Sequence, residues 1–571
     1  MTESCLHRLV KGTTVQLDLY PLYAFESNFC HRVIIFCSNF TSYDCDGLGG
    51  PDLVLLRREW SNFFNWRRIK SFINIFAFPN DGVDQPLGDI RAYFGDEICI
   101  YFMFLGFFSK WLLYPAVTGS FFFIWQRLHG SDTDILFIFS ISLCVWAWLM
   151  IHNWKRQEAK IVVQWGYKNE RLKERVRRGY RVPKREEILR EDRRRKMFMS
   201  LSYFLVACMV LLSIASFLAF TVYYYRFMGN SELASTGAAV AHSVIILFLE
   251  ALNTHLAEVT TNMENHKYES AWNSNRIRKV FVFDMVNNMI SLFFLAYYSP
   301  LVKGTSFDPF TFIQRSSQLP ILDDLRNKLA TIFVVRLIVG NIKEALIPYL
   351  KYWMEQRREM QQMKGVTVEQ PVLAHSQSDE FGAELPRIVT ADAIQECSKK
   401  AWDDLDRETY EGVHPDYSEL CLQFAFLMLF GVSFPIVAAL AWASNFVEIW
   451  IDSFKLCWVL RRPMPRRATG IPKVWLEIFQ GVAVLAVLTN GGILTFSSSS
   501  LMTYLNSNGF LADPFGFLNQ LIVFFLIEHA IFIGIAVTLA FIPQIPKFTK
   551  YYSAAEALVL EAIMTHRTAH L

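Results

Sequence analysis

Carboxylates at the two ends of one apolar segment are the residues of this chain best suited to bind a cation. The segment from Asp416 to Asp452 reads DYSELCLQFAFLMLFGVSFPIVAALAWASNFVEIWID. Asp416 and Glu419 are three residues apart, so they share one face of a helix. Glu448 and Asp452 are four residues apart and share a face in the same way. The segment therefore predicts two acidic pairs joined by apolar sequence.

Pro435 predicts a bend near the middle of this segment, because proline removes a backbone donor and clashes with the preceding turn. Glu419 lies 16 residues before Pro435, and Asp452 lies 17 residues after it. At a rise of about 1.5 Å per residue, both acids lie about 24 Å from the bend. We therefore expect a hairpin whose two acidic pairs return to the same depth in a membrane.

Acids at one depth repel each other unless positive charge lies among them, and acids inside a membrane are expected to be functional. No basic residue lies between Leu420 and Ile451, so pairing within the hairpin is not available. Three interpretations stay open: a divalent-cation site, pairing with Arg or Lys of a neighbouring helix, and a proton relay. We favour the cation site. Carboxylate oxygens without Cys or His favour Ca²⁺ or Mg²⁺ over zinc or copper.

The composition is typical of a protein with many membrane segments. Of the 571 residues, 53% are hydrophobic and 15% are aromatic, and 50 are Phe. Such an excess is expected where long apolar runs cross a bilayer. The ten Cys form no CxxC pattern, so neither a zinc site nor a disulfide framework is predicted. We predict an all-α polytopic membrane protein that is not an enzyme and has no nucleic-acid partner.

The elements that must position the acids are ten apolar segments. They are predicted at 99–126, 135–152, 199–224, 236–257, 280–298, 329–353, 419–435, 437–460, 474–496 and 518–542.

The remaining sequence divides into cytosolic parts around this membrane domain. Residues 1–90 predict a small cytosolic α/β domain, and 91–546 the membrane domain with its ten helices. Within the latter, 153–197 and 354–415 are predicted to be cytosolic loops. Residues 547–571 are predicted to form a cytosolic tail.

The distribution of basic residues predicts the orientation in the membrane. The loops at 155–196 and 460–473 are rich in Lys and Arg, and such loops stay cytoplasmic. The alternate loops at 127–134 and 497–517 are nearly free of basic residues. Both termini are therefore expected in the cytosol. No retention or lipidation motif is visible at the C-terminal end, so the plasma membrane and the endoplasmic reticulum both stay open.

The sixth predicted segment carries polar and helix-loosening residues. Gly340 and Pro348 predict a place where the helix bends, usually beside a cavity or another helix. Glu344 lies near the predicted cytoplasmic end, at the depth of the acidic hairpin, or else emerges at the interface. Arg336 is the strong cation placed deep in this segment, and Asn341 follows Gly340.

The fourth and fifth segments also carry polar residues in apolar surroundings. Glu250 and Asn253 lie within the fourth segment, and Asp284, Asn287 and Asn288 open the fifth. A helix face this polar is expected to line water or a protein partner rather than lipid tails. The alternative, a helix end emerging into the cytosol, explains Glu250 poorly.

Several long motifs, in order, resemble the anoctamin family from about Leu87 to Ile545. DIRAYFGDEICIYFMFLGFFSKWLLYPA is similar to the first membrane helix of that family, and NWKRQEAKIVVQWGY to the basic motif after the second. LAEVTTNMENHKYESAW and FDMVNNMISLFFLAYY resemble the motif after the fourth helix and the fifth helix. SFPIVAALAWASNFVEIWID and IPQIPK also match family signatures.

The resemblance implies a homodimer with ten membrane helices per subunit and two Ca²⁺ ions bound in each subunit between helices six, seven and eight. It assigns Ca²⁺-ligand positions on those three helices to Glu344, Asp416, Glu419, Glu448 and Asp452. The position of a family asparagine that helps in some members is occupied here by Gly340, with Asn341 next to it.

The family divides into Ca²⁺-activated phospholipid scramblases and Ca²⁺-activated anion channels. A channel needs basic residues along a pore screened from lipid, whereas a scramblase needs a polar groove open to lipid. The neutral and acidic groups of the fourth helix favour a scramblase, whose groove is lined by helices four to six and can also conduct ions nonselectively. Groove and gating roles are assigned to Gly340, Asn341, Arg336, Glu250, Asn253 and Pro348. The alternatives are a chloride channel and a membrane tether or regulator that does not transport.

Overall fold

The computed structural model describes Leu56 and most of the chain from residue 85 onwards. The described residues are 56, 85–133, 135–167, 174, 176–183, 188–227, 232–298, 321–342, 347, 349–351, 353–354, 357–358, 407–410, 412–509, 516–543, 546–547, 549–551, 554–555 and 558. The predicted N-terminal α/β domain therefore lies almost entirely outside the described residues.

The described chain is mostly helical, and within it the only strand-like pairing is a few isolated bridges. Its helices are α1 (Leu87–Phe94), α2 (Asp96–His129), α3 (Leu136–Gln164), α4 (Ile188–Phe227), α5 (Glu232–Met263), α6 (Glu269–Phe293), α7 (Ile321–Asn341), α8 (His414–Phe430), α9 (Val437–Phe454), α10 (Lys473–Gly492), α11 (Ser500–Ser507) and α12 (Phe517–Ala540). Short π-helical turns extend α6, α9 and α10 at Phe294–Tyr298, Lys455–Val459 and Ile493–Ser497.

Seven helices within the described ranges are long and apolar enough to cross a membrane, namely α2, α3, α4, α5, α6, α10 and α12. Multiple spans of this kind make the chain an integral multi-pass membrane protein. The other three predicted segments overlap α7, α8 and α9, the helices of the acidic residues. Helix α8 has 17 residues, and charged residues interrupt the apolar sequence of α7 and α9. The count of ten membrane helices stays a prediction.

Helix α8 lies at the centre of the hydrophobic core. Each residue of the run 424–430 has a solvent exposure of 0%. A helix that is apolar on all sides must be covered on all sides. Side chains of α2, α3, α6, α7, α9 and α10 supply that cover. At the acidic end of the same helix Asp416, Tyr417 and Leu420 are also buried, so this end too lies inside the helix bundle.

The hairpin bends where the sequence predicts. Helix α8 ends at Phe430, and α9 begins at Val437, two residues after Pro435. Helix α2 packs along α9 and approaches this turn closely at Gly119. A Cβ on residue 119 would lie 2.3 Å from the carbonyl oxygen of Pro435, so only glycine permits this contact. The contact fixes the closed end of the hairpin against α2.

Helices α4, α5 and α6 pack against one another, and α7 packs against α5 beside them. The basic run before the third predicted segment forms the first turns of α4. There Glu191 pairs with Arg194, and Asp192 pairs with Arg195 and Lys196, at helical spacings of three and four residues. Part of the positive charge of this basic run is therefore neutralised within the first turns of α4.

Candidate functional site

The open end of the hairpin carries an ammonium group between two carboxylates. The Nζ atom of Lys455 lies 2.8 Å from Oδ1 of Asp452 and 3.3 Å from Oδ1 of Asp416. Both carboxylates are buried, and the lysine side chain is 12% exposed. Because one group reaches both acids, the start of α8 and the end of α9 lie at the same level. The structure therefore brings one acid of each predicted pair, Asp416 and Asp452, together at the open end of the hairpin.

Two tyrosines donate hydrogen bonds to the outer oxygens of the same carboxylates. Tyr101 of α2 donates to Oδ2 of Asp452, and Tyr410 donates to Oδ2 of Asp416 at 2.7 Å. Burial, followed by the negative charge of Asp416, raises the pKa of the Tyr410 hydroxyl well above its ordinary value. The hydroxyl therefore stays protonated and continues to donate. These bonds orient each carboxylate with its second oxygen towards Lys455.

Glu419 lies against the backbone of α7. A Cβ on Gly340 would lie 3.1 Å from Oε1 of Glu419, so the missing side chain leaves room for this carboxylate. The predicted residues Gly340 and Glu419 are thus brought together. The contact connects the acidic hairpin to the helix in which bending is predicted.

Glu448 is buried on α9, one helical turn before Asp452. It lies within electrostatic range of the Tyr101 hydroxyl, as do Asp416 and Asp452. Glu344 and Pro348 lie outside the described residues, and Asn341 ends α7 without a described side chain. Within the described part of the chain, no three His, Cys, Asp or Glu side chains form a ready metal site. The complete set of five ligands therefore stays a prediction.

A polar network joins the three helices α5, α6 and α7. Arg336 of α7 donates to Oε1 of Glu250 at 2.8 Å and to Oδ1 of Asn288 at 2.9 Å. Asn288 of α6 in turn donates to Glu250 of α5. The structure thus pairs Arg336 with a carboxylate, so its charge is not available as an isolated positive site.

Further polar groups extend this network along α5 and α6. Asn287 donates to the carbonyl oxygen of Ile246 at 2.9 Å and accepts from Ser213 at 2.7 Å. Asn253 has 0% exposure, and neither of its amide atoms has a hydrogen-bond partner among the described residues. Oδ1 of the buried Asp284 also has no hydrogen-bond partner among the described residues. Buried polar groups of this kind usually bind water, which agrees with the expectation that these helix faces line water or a partner.

A second buried ion pair joins α5 to α6 at the cytosolic end predicted for those helices. The Nζ of Lys279 donates to Oε1 of Glu264 and, at 3.0 Å, to the hydroxyl of Thr261. The other oxygen of Glu264 lies 2.7 Å from Nε2 of His266. Both charged side chains of the pair are 0% exposed.

Sequence reasoning missed Lys455, Tyr101, Tyr410 and the Lys279–Glu264 pair. Lys455 was detectable, because it lies three residues after Asp452 and therefore shares its helix face. The stretch without basic residues runs from Leu420 to Ile451, and Lys455 lies four residues beyond it. Tyr101 has no local signal, since 351 residues separate it from Asp452.

The family model described as "Anoctamin: Calcium-activated chloride channel" matches residues 90–556. The chain belongs to the anoctamin family. The matched region contains all of the predicted ligand residues and the whole polar network of α5, α6 and α7.

Curated relatives in this family resemble the chain at moderate identity. Anoctamin-10 of Homo sapiens is 27% identical over 490 residues, which cover 81% of this chain and 64% of the relative. Anoctamin-7 of Rattus norvegicus is 26% identical over 543 residues, covering 83% and 58%. Anoctamin-4 of Bos taurus is 25% identical over 494 residues, covering 72% and 50%. This anoctamin thus spans less than two thirds of the length of each of these relatives.

The donors at the acidic end suit a hard cation. Ca²⁺ takes six to eight oxygen ligands in flexible geometry, and carboxylates are its main protein ligands. The Lys455 ammonium is already held between Asp416 and Asp452, so these carboxylates are arranged to share one positive group. The space left by Gly340 admits the Glu419 carboxylate from the same side as α7. The residue types present therefore fit a hard cation such as Ca²⁺ at the open end of the hairpin, where Asp416 and Asp452 meet.

Proposed function

We propose that this anoctamin is a Ca²⁺-activated phospholipid scramblase with a polar groove lined by α5, α6 and α7. The observation that carries the proposal is the charge-balanced network of Arg336, Glu250 and Asn288, which crosses these helices inside the bundle. Lipid headgroups need polar partners of both signs along their route, and this network offers a guanidinium, a carboxylate and an amide. An anion pore requires unbalanced positive charge instead.

We assign Ca²⁺ binding to Glu344 and to the four hairpin acids Asp416, Glu419, Glu448 and Asp452. When bound, Ca²⁺ supplies positive charge that removes the repulsion among these carboxylates. Glu344 would serve as the ligand from the sixth membrane segment, and Gly340, with Asn341 and Pro348 nearby, would allow that segment to bend towards the hairpin. Because α7 also carries Arg336, such a bend would change the distance between Arg336 and Glu250. The difference in Ca²⁺ affinity between the two arrangements supplies the free energy of opening.

A Ca²⁺-activated chloride channel is the second candidate. The description of the matching family model favours it, since that description names calcium-activated chloride channels. In such a channel Arg336 would attract the anion. Its pairing with Glu250 at 2.8 Å reduces that attraction, and for this reason we place the channel second.

The complete assembly we propose is a homodimer with ten membrane helices in each subunit and both termini in the cytosol. We assign the dimer contact to helix α12, because its outer face carries exposed apolar residues such as Leu526 and Ile533. Lipid tails or a second subunit would cover such a face. The plasma membrane and the endoplasmic reticulum are both compatible with this proposal.

The test is lipid scrambling in proteoliposomes with fluorescent phospholipids, with and without Ca²⁺, and with ionic flux recorded on the same vesicles. We compare the wild type with Glu448→Gln and with the matched control Glu258→Gln, which changes an exposed glutamate of α5. Scrambling that needs Ca²⁺ and is lost only in Glu448→Gln supports the proposal. Anion flux without scrambling would replace it with the channel. Neither activity at millimolar Ca²⁺ would leave a membrane tether or regulator.

A further inference from the structure

Lys455 occupies the place between two carboxylates where a bound cation would bring them together. Its Nζ is within 3.3 Å of one oxygen of Asp416 and one of Asp452, which come from different helices. Tyr410 and Tyr101 hold the other oxygens, so the two carboxylates keep their orientation around the ammonium. The lysine therefore joins the open end of the hairpin in the manner of a divalent ion, but with one positive charge.

The location of Lys455 in the chain allows it to leave. The residue opens the π-helical turn Lys455–Val459, where the backbone hydrogen-bond pattern of α9 changes. Such turns occur frequently at functional sites. The side chain is 12% exposed, whereas that of Asp452 is 1% exposed, so part of the lysine side chain reaches the surface of the helix bundle and the Asp452 carboxylate does not. A long, flexible lysine side chain can move to water while its backbone stays in place.

We propose that Lys455 is a tethered competitor for Ca²⁺, which holds Asp416 and Asp452 together in the cation-free protein and leaves them when Ca²⁺ binds. This inference rests on the Ca²⁺ site of the proposed function. The lysine then has two opposite effects. It stabilises the cation-free protein by neutralising buried carboxylates. It also weakens Ca²⁺ binding, because its contacts must break before the same oxygens can serve as ligands.

The direction of the effect separates this role from a structural one. A lysine that only supports the fold would, when removed, disturb the carboxylates and weaken Ca²⁺ binding. A competitor would, when removed, leave them more available. For Lys455→Met, which keeps the stem and removes the charge, we expect Ca²⁺ affinity to rise about tenfold, the change that accompanies loss of a modest competing interaction. We expect the thermal midpoint without Ca²⁺ to fall.

The first experiment measures Ca²⁺ binding to the full purified chain by calorimetry and by the Ca²⁺-dependent rise of its thermal midpoint. Lys455→Arg keeps the charge and should retain an affinity close to the wild type. The matched control is Lys351→Met, which removes a lysine from an exposed pair with Glu408. This control should leave the affinity unchanged. An affinity of Lys455→Met equal to or lower than the wild type would overturn the inference while leaving the Ca²⁺ site intact. Absence of Ca²⁺ binding by the wild type would overturn the proposed function and the inference together.

The second experiment needs no variant and so does not depend on the folding of Lys455→Met. Reductive methylation of lysines is followed by mass spectrometry with and without Ca²⁺. We expect Lys455 to react several times faster with Ca²⁺, because displacement exposes its amine, while Lys351 reacts at the same rate in both conditions. A Lys455 rate that Ca²⁺ leaves unchanged or lowers would contradict displacement.

Discussion

The Lys279–Glu264 pair and the Lys455 cluster both bury a lysine against carboxylates, but they differ in access to solvent and in balance of charge. Lys279 and Glu264 are both fully buried, and Thr261 and His266 complete their hydrogen bonds. The side chain of Lys455 is partly exposed and contacts two aspartates. The hairpin adds Glu419 and Glu448, so α8 and α9 carry four carboxylates at the end where Lys455 lies, and Arg336 of α7 is within electrostatic range of Glu419.

The difference separates an ion pair that stabilises the fold from one that belongs to a binding site. In the Lys279–Glu264 pair each charge is buried beside one opposite charge. Replacing either partner by another ion would therefore not improve the balance of charge. In the Lys455 cluster the negative charges outnumber the single positive charge of the ammonium. A cation of higher charge in the same place would be attracted more strongly. Burial of a lysine is therefore a weak guide to its role unless the neighbouring charges are counted.

The largest effect that tests this comparison is expected for Lys279→Met. The change leaves the buried Glu264 carboxylate without its cation, which costs about 3–5 kcal/mol in the free energy of unfolding. Thermal or denaturant unfolding in detergent measures the loss. Ca²⁺ affinity should stay at the wild-type value, since the cluster lies outside the acidic site. A stability within 1 kcal/mol of the wild type, on the scale of an exposed pair, would show that the two clusters are not energetically different.

A smaller effect is expected for Gly340→Ala, which tests the acidic side of the comparison. The new Cβ would lie 3.1 Å from Oε1 of Glu419, so the carboxylate must move by a few tenths of an ångström. Ca²⁺ affinity depends on ligand placement, and we expect it to fall about tenfold. The readout is the Ca²⁺ concentration that raises the thermal midpoint.

Gly237→Ala is the matched control for that change. Residue 237 is also a helical glycine, and a Cβ there would have no atom within 4 Å. It should leave Ca²⁺ affinity unchanged and slightly stabilise α5. If Gly340→Ala behaves in the same way as Gly237→Ala, the approach of α7 to Glu419 has no role in the site.

A modest effect is expected for Glu250→Gln in the polar network. Arg336 would keep its amide contact with Asn288 but lose its carboxylate partner, so positive potential along α7 would rise. We expect the anion-to-cation permeability ratio of any current that accompanies scrambling to increase about two- to fivefold. Reversal potentials in a salt gradient measure the ratio, and the exposed Glu258→Gln serves as control. An unchanged ratio would place the conduction route away from Arg336.

The smallest effect is expected for Arg278→Met, next to Lys279 on the same helix. Arg278 pairs with Glu477 of α10 at 3.1 Å, with both side chains 44% exposed. Exposed pairs contribute between 0 and about 1 kcal/mol. The free energy of unfolding should therefore change by less than about 1 kcal/mol, as measured by denaturant unfolding in detergent. A loss as large as that of Lys279→Met would mean that exposure does not distinguish these pairs.

Local patterns predicted the helices and the bend at Pro435, because apolar runs and proline act on neighbouring residues. Counting residues from that bend to Glu419 and to Asp452 predicted that the two acidic pairs lie at one end of the hairpin, where the structure brings Asp416 and Asp452 together. The partner of Arg336 and the hydroxyl of Tyr101 could not be predicted in this way. Each depends on how distant helices pack, and no spacing along the chain encodes that contact. Lys455 falls between the two cases, since its helical spacing from Asp452 was visible in the sequence.

The contact of Gly119 with the turn at Pro435 fixes the closed end of the hairpin, so α8 and α9 can separate only by rotating about that turn. The acids lie about 24 Å from that end, at about 1.5 Å of rise per residue. An increase of about 1 Å in the distance between the carboxylates therefore corresponds to a rotation of only about 2° at the turn. Small shifts of packed helices of this kind are common. A bulkier residue at position 119 would displace the turn at Pro435. The distance between the carboxylates at the open end would then change, although the new side chain contacts none of them.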